Sequence, residues 1–292
     1  MPRTTLNGAE IYYETRGDPS DPSILALHGG PGIGDGRKPL GAFETLADDY
    51  HLVVPDHRGC GRSELAPPYT NEQFAADVAA LREALSLGEV VLIGGSYGGF
   101  VTQQYAIDHP EHLRAVVFRD TAATPEYDRA ARETARDRLP EVRERDLDVP
   151  HITAAELDRV MDGEVPSDEE FERLYHGMAP LYAASLDEFD ATATAEQIES
   201  LHFHHETHNH VFSEVFPEMD YTDALPDVEV PALVTVGRHD WITPVAASEE
   251  LAELLPNARL RIFEESGHNP HLDQADAWLA ETRAFLNAVG HR

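Results

Sequence analysis

Cysteine and long apolar runs are nearly absent from the sequence, and each shortage excludes a class of structure. Cys60 is the only cysteine, so an internal disulfide and a cysteine-rich metal site are both excluded. No apolar run approaches the roughly 18 residues that a membrane-spanning helix needs. The N-terminal residues also lack the apolar core of a secretory signal. We therefore expect a cytoplasmic protein without a membrane partner.

Positive charge is scarce as well. The 292 residues include 54 acidic side chains against 22 basic ones, a formal net charge of −32. Lys38 is the only lysine, and the other basic residues are arginines. Such an acidic surface repels phosphate, so nucleic acid is not an expected partner. The charge balance favours solubility and, more specifically, adaptation to molar salt, which screens charges beyond about 3 Å.

Short apolar runs alternate with segments of helical periodicity along most of the chain. After a predicted hairpin at 5–16 with an Asn7-Gly8 turn, buried strands are expected at 23–27, 52–55, 90–93, 115–118, 232–236 and 260–263. Helices are expected at about 40–48, 70–86, 97–108, 244–255 and 273–288. Thr70 is the expected N-cap of the second of them, with Gln73 closing a capping box. This alternation predicts an α/β fold, in which helices cover both faces of a mostly parallel central sheet.

One long stretch, from 123 to 224, interrupts the alternation. It shows no buried-strand signal and contains amphipathic segments that begin near Pro125, Thr153, Ser167 and Ala195. We expect a helical cap at 123–224, inserted between the sixth and seventh strands of a core formed by 1–122 and 225–292.

A serine lies in a glycine-rich turn between a predicted strand and a predicted helix. The turn reads Gly94-Gly95-Ser96-Tyr97-Gly98-Gly99, the G-x-S-x-G pattern of a nucleophile elbow. Such a turn exposes the serine hydroxyl, and the helix that follows directs its positive dipole end towards a developing oxyanion. Ser96 is therefore the predicted nucleophile.

A serine nucleophile needs a base and an orienting acid, which follow it in the order acid, then histidine. Asp240 and His268 each come just after a predicted strand, at the edge where sites in open α/β sheets form. Asp120, which follows the strand at 115–118, is an alternative acid. His239 and His271 are alternative bases with less favourable positions.

A second glycine-rich loop follows the strand at 23–27 and reads His28-Gly29-Gly30-Pro31-Gly32. Glycine allows the backbone to approach a substrate closely, so Gly29 is expected to line the substrate site. We assign the oxyanion hole to the N–H groups of Gly30 and Tyr97. His28 is expected to brace this loop.

The chain resembles the proline iminopeptidase branch of the α/β-hydrolases, which includes the archaeal tricorn-interacting aminopeptidases. The resemblance rests on residues 28–32, the run at 56–63, the elbow at 94–99, and Gly237-Arg238-His239-Asp240 followed by Thr243-Pro244. It covers the predicted core and is weak in the cap. It implies removal of an N-terminal residue, often proline, from short peptides, with acidic residues near or in the cap holding the free α-ammonium.

The resemblance departs from the family pattern at one position. In some members a glutamate that binds the amine directly follows the triad aspartate, and here Trp241 occupies that substrate-binding position. We therefore expect the amine to be bound by Glu206 or Glu214 in the last cap segment, although both also fit a solvated acidic surface. His204 and His208, four residues apart, could bind a metal, but a polar contact between cap and core is expected instead, with no metal or cofactor.

These features favour a serine aminopeptidase that acts on short peptides. An esterase, lactonase or carbon–carbon bond hydrolase with the same triad and a small ester or related substrate is the alternative. A binding protein without catalytic activity is a further alternative, but such a protein has no need for an acid and a base that follow the serine in this order. Dehalogenases and epoxide hydrolases carry an aspartate at the position of Ser96.

The first testable prediction follows from the charge balance. Withdrawal of salt is expected to lower the melting temperature, because like charges on the acidic surface repel one another less when they are screened. Thermal unfolding at low and at molar KCl measures the effect. A melting temperature that is independent of salt contradicts the halophilic interpretation.

Overall fold

Eight strands form one sheet in the computed structural model, which describes residues 2–187 and 189–290. In chain order they are β1 (Arg3–Leu6), β2 (Ala9–Arg16), β3 (Ser23–Leu27), β4 (His51–Pro55), β5 (Val90–Gly95), β6 (Leu113–Arg119), β7 (Ala232–Gly237) and β8 (Ala258–Phe263). Asn7 and Gly8 both have positive φ between β1 and β2, which confirms the predicted hairpin.

The spatial order of the strands is β1-β2-β4-β3-β5-β6-β7-β8. The β1–β2 and β2–β4 pairs are antiparallel, and all the other pairs are parallel. Strands β3, β4, β5 and β7 are buried along their whole length, as expected of a sheet covered on both faces. The predicted mostly parallel sheet is therefore confirmed, and the carboxyl ends of its parallel strands lie along one edge.

Eleven α-helices lie within the described residues. They are α1 (Arg37–Ala42), α2 (Asn71–Ala84), α3 (Tyr97–Asp108), α4 (Asp128–Glu144), α5 (Ala154–Met161), α6 (Asp168–Met178), α7 (Ala191–Glu199), α8 (His205–His210), α9 (Val245–Leu254), α10 (Pro270–Asp273) and α11 (Ala275–Gly290). Among the described residues, none of these helices has both the length and the apolar composition that crossing a membrane requires.

Two predicted helices differ from the structure. The helix expected at 40–48 is divided into α1 and a 3₁₀ turn at Glu44–Asp48. Phe43 leaves helical geometry between them and stacks its buried ring on Trp278, with ring centroids 5.0 Å apart. The helix expected at 273–288 is likewise two helices, α10 and α11. In both places tertiary packing overrides the local periodicity.

The start of α2 follows the predicted cap in part. The Thr70 hydroxyl accepts a hydrogen bond from the Gln73 N–H, as expected of an N-cap. The Gln73 side chain instead donates to Asp77, so it does not complete the predicted capping box. The complete box of this chain lies at α5, where Thr153 and Glu156 bond reciprocally.

Helices α4 to α8 all lie between β6 and β7 in the sequence, where the cap is expected. Their apolar side chains form a separate hydrophobic cluster that also contains Ile33 and Trp241. Helix α7 begins at Ala191, after the N-cap Asp190, four residues before the expected start. The exact division of the chain at 122–123 and 224–225 stays a prediction.

The cap contacts the rest of the protein through histidines as well as apolar side chains. The His204 N–H donates to the Gly32 carbonyl at 2.7 Å, and its Nε2 lies 3.1 Å from the Gly61 carbonyl. The Nε2 of His208 donates to the Val160 carbonyl at 2.8 Å. The two Nε2 atoms therefore bond to separate carbonyls, which favours the polar contact over the zinc-binding pair.

The second prediction concerns the buried ring of His208. Burial lowers the pKa of His208 to about 4, whereas an unfolded histidine titrates near 6.5. The stability that the neutral ring contributes is therefore present above about pH 6.5 and is lost as the pH falls towards 4, by about 3 kcal/mol in total. His208→Gln keeps an N–H donor for Val160 but cannot titrate.

Chemical denaturation from pH 7 to pH 4.5 measures this loss. The unfolding free energy of the variant is expected to fall less steeply with acidification than that of the wild type. His239→Gln, a change at an exposed ring, is the matched control. Parallel pH profiles for wild type and His208→Gln contradict the prediction.

Candidate active site

Ser96 is the residue between β5 and α3, and its backbone has φ 53° and ψ −125°. A non-glycine residue reaches positive φ only at a cost, which its neighbours must offset. The Ser96 N–H donates to the Arg119 carbonyl at 2.8 Å, and the Ser96 carbonyl accepts from Gly99 at 2.9 Å. Its side chain makes no capping hydrogen bond to α3, which leaves the hydroxyl available to another partner.

The glycines around Ser96 let two backbone turns approach each other. A Cβ on Gly98 would lie 2.5 Å from the His28 carbonyl oxygen, closer than any side chain tolerates. A Cβ on Gly29 would lie 2.8 Å from the Cβ of Ser96. The loop after β3 and the elbow after β5 are thus in direct backbone contact.

Asp240 and His268 come together at the carboxyl ends of β7 and β8. The Nδ1 of His268 donates to Oδ2 of Asp240 at 2.8 Å, and both side chains are buried. Asp240 also accepts hydrogen bonds from the Ile242 N–H, the Thr243 N–H and the Thr243 hydroxyl, at 3.0, 3.1 and 2.7 Å. These donors fix the position of the Asp240 carboxylate, and the bond from Nδ1 leaves Nε2 of His268 as the nitrogen without a proton in the neutral ring.

Asp120, the alternative acid, lies beside this pair. A carboxylate oxygen of Asp120, a carboxylate oxygen of Asp240 and a ring nitrogen of His268 all lie within 4.8 Å of one another. Burial and the neighbouring charge of Asp240 raise the pKa of Asp120 well above its usual range, although Arg119 opposes them. Arg119 bonds to Asp120 at 3.1 Å and to the His268 carbonyl at 3.3 Å. The buried Arg119–Asp120 pair thus holds the backbone of His268. Sequence reasoning did not identify Arg119 as a residue of the site.

The other histidines near the site have separate places. Nε2 of His28 accepts from the His57 N–H at 3.0 Å, and Nδ1 of His28 donates to the Gly29 carbonyl at 2.9 Å. Burial lowers the pKa of His28, so a neutral ring braces the glycine loop as expected. His239 is exposed, and His271 is buried in the cavity wall.

The two residues expected to supply the oxyanion donors belong to the loop after β3 and the elbow after β5. Gly30 follows Gly29 in the β3 loop and has φ 67°. Tyr97 is the first residue of α3, where the helix itself supplies no partner for the N–H. Gly29, Gly30, Ser96 and Tyr97 all line one cavity, together with His268.

This cavity has a volume of about 300 Å³, at the lower end of the roughly 300–1000 Å³ of ligand sites. Its walls come from the carboxyl edge of the sheet and from the cap, and they are mostly apolar, with Ile33, Phe100, Met161, Tyr182 and Phe212 among them. A cavity of this kind suits a small and partly apolar molecule.

Three predicted substrate-binding residues do not reach the cavity. Glu206 and Glu214 are exposed, and neither lines it. Trp241 is buried behind Tyr182, with ring centroids 5.5 Å apart, and belongs to the apolar cluster of the cap. The exposure of Glu206 and Glu214 and the burial of Trp241 in the cap cluster do not support a substrate contact for any of the three.

Charged residues that sequence reasoning missed do line it. Asp128, the first residue of α4, and Lys38 of α1 are two of them, and the others are Asp35, Arg119 and Asp273. An aspartate at the start of a helix is ordinary in sequence and gave no signal. Lys38 did carry one, since it is the only lysine in the chain.

Comparison with known proteins agrees with this architecture. A sequence model described as the alpha/beta hydrolase fold matches residues 22–275. Proline iminopeptidase PfmaB of Pestalotiopsis fici is 33% identical over 96% of this chain and 97% of its own. Among solved structures, an esterase from Thermogutta terrifontis is 25% identical, with TM-score 0.67 over 98% of this chain and 97% of its own.

An enol-lactonase from Burkholderia xenovorans has TM-score 0.78 at 22% identity, over 98% of this chain and 100% of its own, which is a likeness of fold alone. The family match spans most of the chain, and the relative from P. fici covers almost all of it. The chain is therefore a member of the α/β-hydrolase family and belongs to its proline iminopeptidase branch.

Proposed function

We propose that this hydrolase is a serine aminopeptidase that releases an N-terminal residue, of the proline type, from short peptides. The observation that carries the proposal is the buried Asp240–His268 pair, whose histidine lines the same cavity as Ser96, in a chain 33% identical to a relative named proline iminopeptidase. The small, mostly apolar cavity also suits a pyrrolidine ring.

The reaction begins at the carbonyl carbon of the first residue. His268 Nε2 takes the proton of the Ser96 hydroxyl as Oγ forms a bond to that carbon, and Asp240 stabilises the imidazolium through Nδ1. The carbonyl oxygen becomes an oxyanion between the N–H groups of Gly30 and Tyr97. These donors are backbone groups held by the close-packed turns, so they need little reorganisation during the reaction.

The carbon–nitrogen bond then breaks, and the leaving amine takes its proton from Nε2 of His268. Water enters the cavity, gives a proton to the same nitrogen and attacks the acyl carbon. Release of the free amino acid returns that proton to Ser96. Arg119, which is paired with Asp120, donates a hydrogen bond to the backbone carbonyl of His268 and so helps to hold the imidazole in place.

Asp128 is our candidate for binding the substrate ammonium, in place of Glu206 and Glu214. Its Oδ2 accepts from Arg132 at 2.7 Å, whereas its Oδ1 is buried with no hydrogen-bond partner among the described residues. Burial raises the pKa of Asp128. A cationic ligand group would offset that burial cost and occupy the vacant acceptor.

The alternative is an esterase or lactonase that uses the same triad. The likeness to the Thermogutta terrifontis esterase favours it, and so does the absence of a glutamate directly after Asp240, where Trp241 lies. An ester substrate needs no amine-binding carboxylate, which separates the two candidates experimentally.

The third prediction compares proline 4-nitroanilide, its N-acetyl derivative and 4-nitrophenyl acetate as substrates in high salt. The free-amine anilide is expected to be hydrolysed and the acetylated one to be at least about 10-fold poorer, because it has no cation for a buried carboxylate. Asp128→Asn is expected to lower kcat/KM for the free amine by a similar factor. Equal turnover of both anilides, or activity on the ester alone, contradicts the aminopeptidase proposal.

The fourth prediction separates the two acids. Asp240→Asn is expected to lower kcat by about 10⁴, because the amide cannot stabilise the required imidazole tautomer. Asp120→Asn, the matched change beside it, is expected to cost about 10-fold or less, since Asp120 does not bond to the imidazole ring. Ser96→Ala measures the background rate for both. A larger loss from Asp120→Asn than from Asp240→Asn reverses the assignment.

A further inference from the structure

The only lysine of the chain lies in the wall of the catalytic cavity. Lys38 is in the first turn of α1, the helix that follows the glycine loop after β3. Its side chain is half-buried, and among the described residues it makes no hydrogen bond and no ion pair. An unpaired ammonium in a mostly apolar cavity is a binding site for an anionic group of a ligand.

The other cations near this wall are neutralised within the protein. The guanidinium of Arg37 is bound by the buried carboxylate of Asp35, from Nε at 2.9 Å. Arg119 is paired with Asp120 at 3.1 Å. Lys38 therefore differs from these two arginines, because no carboxylate of the described residues neutralises its charge. An anionic group of a ligand can do so.

The other titratable groups in this part of the cavity wall are consistent with this role. His271 of α10 is buried in the same cavity wall, and burial together with the charges of Arg119 and Lys38 holds its pKa well below the usual range. The ring is thus neutral. Asp35 is occupied by Arg37, and Asp273 of α10 accepts a hydrogen bond from the Gly267 N–H at 2.8 Å.

Acidic side chains outnumber basic ones by 54 to 22 in this chain, so an anionic ligand needs a local cation to enter. A short peptide with a free C-terminus brings one carboxylate and one α-ammonium into the cavity. Lys38 offers an unpaired ammonium there, and Asp128, although bonded to Arg132 through Oδ2, offers Oδ1 as a vacant acceptor. The cavity volume of about 300 Å³ keeps the two ends of a bound molecule close together.

We propose that Lys38 binds the free carboxylate of the substrate, so that the preferred substrates are dipeptides with an unblocked C-terminus. This inference rests on the proposed aminopeptidase activity and names its substrate class. The ammonium of Lys38 acts on binding and takes no part in the transfer of protons at Ser96.

The fifth prediction compares prolyl-glycine with prolyl-glycinamide, which differ in one charge. The wild type is expected to prefer the free acid by at least about 10-fold in kcat/KM, chiefly through KM, as the loss of a charge-assisted hydrogen bond implies. Lys38→Gln is expected to abolish that preference, and Lys38→Arg to retain part of it. Arg283→Gln removes one positive charge at an exposed site and is expected to keep the wild-type ratio.

Two outcomes overturn the inference: equal kcat/KM for the two peptides in the wild type, or an unchanged ratio in Lys38→Gln. If neither peptide is cleaved, the aminopeptidase proposal fails, and 4-nitrophenyl hydrogen succinate against 4-nitrophenyl acetate becomes the substrate pair. A preference for the succinate ester that Lys38→Gln abolishes then supports carboxylate binding by Lys38 on its own. Equal hydrolysis of the two esters refutes it.

Discussion

The strained backbone at Ser96 is the constraint on which the rest of the site depends. Positive φ at a serine costs about 1–3 kcal/mol, and the tight seating of the elbow against the β3 loop offsets that cost. Gly98 and Gly29 permit this seating because no Cβ fits at either position. Gly30 and Tyr97, whose N–H groups are the proposed oxyanion donors, belong to the two turns that meet in this contact. The proposed nucleophile and the proposed oxyanion donors therefore depend on one packing arrangement.

A second constraint is electrostatic. Asp120 lies close to Asp240, and the negative charge of that neighbour opposes the ionisation of Asp120. Asp240 receives three local donors in addition to His268, whereas burial and the charge of Asp240 raise the pKa of Asp120. The aspartate with the donors is also the one in contact with the imidazole. This is a physical reason to assign the orienting role to Asp240 that sequence order alone does not provide.

The sheet could be predicted from sequence, and so could the places of Ser96, Asp240 and His268 in it, because these places depend on strand ends. Ser96, Asp240 and His268 each follow a buried strand, and parallel strands bring their carboxyl ends to one edge. The cap offers no such rule. Glu206 lies in the short helix α8. Glu214 lies in the π-helical turn at Val211–Val215 that follows, where the spacing of side chains differs from that of an α-helix. The faces of such a segment follow from packing, so periodicity could not place them.

Because acidic residues are so common in this chain, a glutamate in the cap gives little indication of function. A single unpaired cation in the cavity is unusual for the same reason. At molar salt the Debye length is about 3 Å, so charges on the surface contribute little to the selection of a substrate. Charges in direct contact inside a partly apolar cavity are screened much less. Under our proposals, discrimination between substrates then comes from Lys38 and Asp128, which line the cavity. An acidic protein can therefore bind a carboxylate in spite of its net charge, provided that one ammonium in the cavity has no partner of its own.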